Sequence, residues 1–330
     1  MLFIDNQNIT DPRINLAIEE FALKNLDIDQ TYLLFYINEP SIIIGKNQNT
    51  IEEINVKFVE EKGIHVVRRL SGGGAVYHDK GNLNFSFITR DDGDSFRNFR
   101  KFTEPVIAAL RELGVEAELQ GRNDILVKGK KISGNAQFST GGRMFSHGTL
   151  MFDVNLEDVV KALNVRKEKI ISKGIKSIRS RVTNIKDHLD QPLTIEEFKQ
   201  VLLKNIFGGQ EEIPEYKLTE SDWKEIERIS ASRYQKWDWN FGKSPAFNIQ
   251  RSKRYPVGLL DVRLDVKQGT IQHCQIFGDF FGIGEVSDLE KRLLGIRYDR
   301  QAIEEALEGI DVEAYLGGIK KEEFVELLYS

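Results

Sequence analysis

Residues 115–152 read VEAELQGRNDILVKGKKISGNAQFSTGGRMFSHGTLMF. Apolar alternation in this stretch breaks at Lys128-Gly129-Lys130 and at Thr140-Gly141-Gly142, where glycine admits the backbone angles of a tight turn. From Val115 to Phe152 the chain therefore reads as consecutive strands joined by short turns, and strands joined that way pair antiparallel. The fold class that follows is α+β: a mixed, largely antiparallel sheet with flanking helices, in preference to a doubly wound one.

Upstream, Thr10-Asp11-Pro12 supplies a helix start, with a capping residue and an early proline. Ile14, Ala17, Ile18 and Phe21 follow at helical spacing. Two apolar runs, Tyr32 to Ile37 and Ile42 to Ile44, flank Glu39-Pro40 and read as strands with a turn between them. A short helix is expected around Ile51 to Glu61 and a strand from Ile64 to Leu70. Asn82 to Ile88 alternates like a half-buried strand, and Phe99 to Leu113 like an amphipathic helix.

Downstream, Trp237 to Gly242 ends the last long helical segment, Val257 to Phe280 reads as a hairpin turning at Gln268-Gly269, and helices are expected at Asp288 to Leu294 and Gln301 to Leu307. Two domains are expected, residues 1–246 and a small α+β accessory domain over residues 247–330.

Composition narrows the class. Of 330 residues, 40% are hydrophobic and 29% charged, and the net charge is −5, which argues against a general nucleic-acid binder. The one cysteine, Cys274, cannot form an internal disulfide, consistent with a reducing cytoplasm. No signal peptide and no run of roughly 20 apolar residues is present, so a cytoplasmic protein without membrane attachment is expected.

Three polar, glycine-bearing segments carry the chemistry. The first runs from Arg68 to His78 through Ser71-Gly72-Gly73-Gly74; the second is Gly121-Arg122-Asn123-Asp124; the third is Lys131-Ile132-Ser133-Gly134-Asn135. A glycine run between strands can turn several N–H groups toward one anion, with Arg69 at its entrance to grip phosphate oxygens. The plainer alternative is a flexible hairpin turn with Arg69 as a solvated charge. Lys131 opens an alternating strand, where an ammonium can bridge two mutually repelling oxyanions, or merely protect a sheet edge. Asp124 suits a Mg²⁺ on nucleotide phosphates, a charge partner for Lys131, or a turn cap beside Asn123. His147 precedes an apolar strand and is either a substrate contact or structural. Residues 161–181 hold eight Lys or Arg against one Glu, a local charge of +7 that leaves −12 for the rest. Such a run is either a solvated face or a loop that engages phosphates or an acidic partner. Gly174, Ser177 and Ser180 interrupt it and favour a loop. The chain contains no GxxxxGK[ST] loop and no GxGxxG opening a helix.

Taken together these segments resemble the lipoate–protein ligase family, within the superfamily that includes biotin protein ligases. Matching stretches run in the family's order across essentially the whole chain. They are Asn15 to Glu20, Ile44 to Asn49, Arg68 to His78, Gly121 to Asp124, Lys131 to Gly134, His147 to Leu150, Lys173-Gly174-Ile175, Ser177 to Asn184 and Trp237 to Phe247.

The resemblance implies an ATP-dependent ligase working with Mg²⁺. It would activate free lipoate to lipoyl-AMP and pass the lipoyl group to a lysine of E2 lipoyl domains of 2-oxoacid dehydrogenases or of glycine-cleavage H protein, acting as a monomer. By the same resemblance, Lys131 is the catalytic residue and touches both ATP and the lipoate carboxylate. Arg69, Gly74, Ala75, Val76, Tyr77, Asn123 and Asp124 contact ATP, with Asp124 the possible Mg²⁺ ligand. Ser71, Gly72, Gly73, His147 and Gly148 line the lipoate side. Lys173, Gly174, Lys176, Ser177, Arg181 and Val182 form the segment that closes over the adenylate. Leu70 departs from the small polar residue of some members, which bears on the acyl fit. The nearest competitor is an ATP-independent octanoyl or lipoyl acyltransferase of the same superfamily.

Overall fold

The computed structural model describes residues 1–164, 181–242, 247–267 and 269–329. By proximity these form two compact units, Met1–Ile43 with Glu52–Val67 and Val76–Lys236, and Ile44–Ile51 with Arg68–Ala75 and Trp237–Ser330. This grouping differs from a division at 246/247 because Arg68 binds residues of the helix Trp237–Phe241: its amide donates to Asn240 Oδ1 at 2.9 Å and its Nε to the Trp239 carbonyl at 2.9 Å. The glycine run and the turn after Ile44 thereby group with the C-terminal part of the chain.

The first unit is built on an eight-stranded sheet among the described residues. Its strands are β1 (Leu2–Asp5), β2 (Tyr32–Ile37), β6 (Asn82–Arg90), β7 (Ala117–Gln120), β8 (Asp124–Val127), β9 (Lys130–Thr140), β10 (Arg143–Met151) and β11 (Glu215–Tyr216). They lie in the order β11-β1-β2-β6-β10-β9-β8-β7. Only β1 pairs in parallel, with β2 and β11; the rest is antiparallel, as the short turns require. β3 (Ser41–Ile44), β4 (His65–Arg68) and β5 (Val76–His78) form a separate sheet with β3 central.

Helices cover both faces of the large sheet. Phe99–Glu112 and Ile195–Ile206 pack against Phe85, Phe87, Met144 and Leu150 on one face. Pro12–Asn25 contacts β6 and β10, capped by Asp11 with Pro12 at its start. Residues Asn82 to Ile88 are therefore all buried, where alternation alone had indicated a half-buried strand. Two polar members of β6 find acceptors inside the protein: Asn82 donates to Asn84 Oδ1 at 2.9 Å, and Asn84 to the Tyr36 carbonyl at 3.2 Å. The expected helix over Ile51 to Glu61 is two, Thr50–Glu53 and Val56–Lys62, with Asn55 capping the second.

In the second unit, β12 (Ile249–Tyr255), β13 (Gly258–Lys267) and β14 (Thr270–Gly278) form an antiparallel sheet. Helices Val286–Arg292, Arg300–Ala306, Val312–Tyr315 and Lys321–Tyr329 bury Leu289, Ile303, Val312 and Phe324 in a core with Leu260, Val262, Leu264 and Ile276. The expected hairpin over Val257 to Phe280 is present as β13 and β14; Gln268 of its turn lies outside the described residues. No helix among the described residues is long and apolar enough to cross a membrane.

Candidate active site

The glycine run leaves β4 and returns in β5, yet those two strands do not pair, because β3 lies between them. The segment is thus a crossing over a central strand, and the hairpin reading falls. Arg69 is no solvated charge either, being only 5% exposed. Its Nε donates to Ser71 Oγ at 2.9 Å, and its Nη2 to the carbonyls of Gly72 at 2.6 Å and Gly74 at 2.9 Å. The guanidinium closes the loop around itself. Gly73 has φ +90°, and a Cβ there would press on Arg69 Nη2 and the Phe281 ring. Gly45 approaches so closely that a Cβ would collide with the Gly73 carbonyl, and Lys46 N–H bonds the Ser71 carbonyl at 2.9 Å. Gly74 is exposed and Ala75 half-buried in the second unit; Val76 and Tyr77 follow on β5 in the first. Burial, then Asp79 and Asp158, push the Tyr77 hydroxyl far above its usual range, so it stays neutral.

In the first unit, the ammonium of Lys131 meets Asp124 Oδ1 at 2.7 Å, both side chains being more than a third exposed. Of the three readings of Asp124, the charge partner for Lys131 is the one present in the geometry. Gly134 makes the contact possible: it pairs with Asp124 across β8 and β9, and a Cβ on it would stand 3.0 Å from Lys131 Nζ. The backbone of Lys131 is tied down separately. Its N–H donates to the Arg181 carbonyl at 2.7 Å, its carbonyl accepts from Thr183 N–H at 3.1 Å, and Val182 forms a parallel bridge to it. Two residues of the expected closing segment, Arg181 and Val182, thus lie alongside the lysine. Lys173, Gly174, Lys176 and Ser177 lie outside the described residues. Asn123, in the turn before β8, donates its side-chain amide to the Asn135 carbonyl on β9 at 2.6 Å.

His147, 7% exposed on β10, is held by Glu19 of the Pro12–Asn25 helix, with Nδ1 at 2.9 and 3.1 Å from the two carboxylate oxygens. Nδ1 is thus the ring nitrogen that Glu19 orients. Gly148 packs its bare Cα against Asn135 Oδ1 and the Phe85 ring. The neighbouring Glu20 is buried too, and bonds Tyr234 Oη at 2.8 Å, Arg233 Nε at 3.1 Å and Lys24 Nζ at 2.6 Å. The identification of site residues from sequence missed Glu19 and Glu20, although both stand in a stretch that carried the family resemblance. Two adjacent acids on a helix with an apolar stripe read as its solvated edge; here the helix Glu220–Ile229 and the π-helical turn Ser230–Tyr234 pack against it.

Among the described residues no three His, Cys, Asp or Glu side chains cluster as a metal site. Asp124 is a single carboxylate already engaged by Lys131, so a Mg²⁺ here fits only as an ion carried on the nucleotide's own phosphates.

Comparison with known proteins identifies the family. Residues 11–207 match the lipoyl protein ligase A/B catalytic domain, and residues 244–328 the bacterial lipoate protein ligase C-terminus. The lipoate-protein ligase LplJ of Bacillus subtilis is 67% identical over 331 residues, covering all of both chains. Among solved structures, the bipartite lipoate protein ligase described with its E2 lipoyl domain from Thermoplasma acidophilum superposes with TM-score 0.66 and 30% identity, over 75% of this chain and 98% of that one. A lipoate-protein ligase A bound with ATP superposes with TM-score 0.62 and 29% identity, over 73% and 97%. The chain belongs to the lipoate–protein ligase family and is an enzyme of the ligase class.

Proposed function

We propose that this ligase joins lipoate to ATP as lipoyl-AMP and then transfers the lipoyl group to a lysine of a lipoyl domain, of an E2 subunit or of glycine-cleavage H protein. The observation that carries the reading is Lys131: an ammonium on a rigid strand, held by one exposed carboxylate over a position with no side chain. A cation tethered so lightly can exchange Asp124 for substrate oxygens without leaving its strand. Relatives whose names and titles specify lipoate-protein ligase, bound ATP and an E2 lipoyl domain support the same assignment.

In the first step a lipoate carboxylate oxygen attacks the α-phosphorus of Mg-ATP. The bond to the β-phosphate oxygen breaks and pyrophosphate leaves. Lys131 offsets the repulsion between the two anions, the term that dominates such a barrier. Arg69 and the backbone from Gly74 to Tyr77 take the nucleotide. Ser71 to Gly73 and His147-Gly148 take the lipoate side, with Glu19 fixing the imidazole. In the second step an acceptor amine attacks the acyl carbon of the mixed anhydride, the C–O bond to AMP breaks, and the amine gives up its proton. Positioning of that amine supplies the main acceleration. Lys173, Gly174, Lys176, Ser177, Arg181 and Val182 close over the adenylate. The protein acts as a monomer in the cytoplasm.

An acyltransferase using a cysteine acyl-enzyme fits less well. Cys274, the chain's one cysteine, sits in the C-terminal core, and burial, then Glu290, raise its thiol well above the usual range, away from the thiolate a nucleophile needs. Lipoate-dependent ATP–pyrophosphate exchange, followed by transfer to a purified lipoyl domain, tests the assignment. Exchange and ATP-dependent transfer are expected; transfer from an acylated carrier protein with no ATP requirement would overturn it.

A further inference from the structure

Arg68 is the largest fully buried side chain of the described residues, 1% exposed. A buried guanidinium ordinarily pairs with a carboxylate. This one does not. Its Nη1 donates to the carbonyls of Gly45 at 2.9 Å, Lys46 at 3.0 Å and Gln48 at 2.7 Å. Its Nη2 reaches Thr50 Oγ1 at 2.8 Å and the Asn240 carbonyl at 3.4 Å, and its Nε the Trp239 carbonyl. Trp239 Nε1 returns a bond to the Arg68 carbonyl at 2.8 Å. Burial alone brings its pKa down to about 10, so it remains charged at neutral pH.

What the guanidinium grips is main chain. Three carbonyls within four residues turn inward on one nitrogen, which sets the course of the turn from Gly45 to Gln48. That turn is the platform of the glycine run: Gly45 abuts the Gly73 carbonyl, Lys46 N–H holds the Ser71 carbonyl, and Arg69 N–H holds the Ile44 carbonyl at 2.9 Å. A rigid fork with five donors can hold such a turn; an ammonium, with three donors on one atom, cannot span it.

We propose that Arg68 is a positioning residue for both substrates: it shapes the glycine run through the turn Gly45–Gln48, without touching either. This rests on the ligase reading above, in which Arg69 and Gly74 take ATP and Ser71 to Gly73 take lipoate. The test measures initial rates of lipoate-dependent ATP–pyrophosphate exchange in the full-length Arg68→Lys variant, with thermal unfolding of the same preparation and titration with a non-hydrolysable ATP analogue. KM for ATP, KM for lipoate and the analogue's Kd are expected to rise about tenfold or more, the loss of one or more bonds to a charged group, while kcat stays within about threefold. Unchanged constants for both substrates, or a fall in kcat with both KM values unchanged, would overturn the proposal. If Arg68→Lys does not fold, Thr50→Val decides, since it deletes one acceptor of Nη2. A rise in KM for both substrates with kcat retained upholds the role, and wild-type values refute it. Absence of exchange in the wild-type protein would instead sink the ligase reading, so the two failures are distinguishable.

Discussion

The loop Arg68–Ala75 and the strand segment around Lys131 are held in opposite ways. In the loop, two buried guanidinium groups are bonded mostly to main-chain carbonyls, and Gly72 stands where a Cβ would collide with the Phe280 carbonyl. The conformation is stored in the backbone, and few alternatives to it exist. At Lys131 the backbone is fixed by strand pairing, but among the described residues the ammonium has one partner, the exposed Asp124 carboxylate. In the proposed reaction, one region keeps its shape before an anion arrives and the other changes partners when it does. Substitutions in the loop should therefore damage stability and activity together, whereas those at Lys131 should separate them.

The largest separation is expected from Lys131→Ala. Adenylate formation should fall by about 10²–10³-fold, the usual cost of deleting one preorganised electrostatic group. Stability should change by less than about 1 kcal/mol, because an exposed ion pair contributes little. Exchange assays and urea unfolding of one preparation measure both. Near-normal exchange would remove Lys131 from the chemistry. A large stability loss would instead erase the contrast with the loop.

Gly45→Ala probes the other side of it. A methyl group there meets the Gly73 carbonyl, which is backbone and cannot swing away. Overpacking of this kind costs about 1–3 kcal/mol. The melting temperature should drop, and exchange activity with it. Retained activity at reduced stability would mean that the glycine run reaches its working shape without this platform.

Gly134→Ala is the matching change beside Lys131, and a gentler one. The new Cβ would crowd the end of a flexible side chain, 3.0 Å from Nζ and 3.2 Å from Cε, so the lysine yields and stability changes by about 0.5 kcal/mol or less. Displacing the ammonium by a few tenths of an ångström should still slow exchange about tenfold, since misplacement of 1 Å is worth about 10². Activity equal to wild type would show that the position of the ammonium is not finely set.

The contrast also explains what the amino-acid sequence discloses. Local patterns were sound guides: Asp11-Pro12 caps and starts its helix, and the turns at Lys128-Gly129-Lys130 and Thr140-Gly141-Gly142 separate antiparallel strands. The Lys131–Asp124 pair was among the open readings because it spans one short hairpin. Arg68 and Arg69 look alike in sequence, adjacent cations before a glycine run. Yet Arg68 finds carbonyls about 20 residues before it and 171 and 172 residues after it, and no local period encodes that. The same holds for β6, whose polar alternation suggested a solvated face until helices on both sides of the sheet were placed, and for Glu20, whose partner Tyr234 is 214 residues away. Local chemistry specified elements and turns; long-range pairing determined which charges are buried.

The smallest effect concerns the helix that brings Glu19 to His147, and it tests whether that helix depends on its cap or on packing. Asp11 accepts the Arg13 amide at 2.8 Å and pairs with its guanidinium at 2.7 Å. Burial pushes its carboxyl pKa up, but the Arg13 side-chain bond, its amide and the charges of Arg13 and His65 outweigh that and leave it below 3.8. A carboxylate whose pKa is lower in the folded than in the unfolded state adds stability above about pH 4, and that stability is lost as pH falls through the folded value. Asp11→Ala should therefore cost about 1 kcal/mol at neutral pH, the typical worth of a cap. The difference from wild type should shrink toward zero as pH falls through the folded value. Exchange activity at saturating substrates should be unaffected, because ten residues of this helix are buried and hold it in place. Parallel urea titrations at neutral and acid pH measure the difference. A gap that stays constant across that range would mean that Asp11 acts through shape, with its charge contributing nothing.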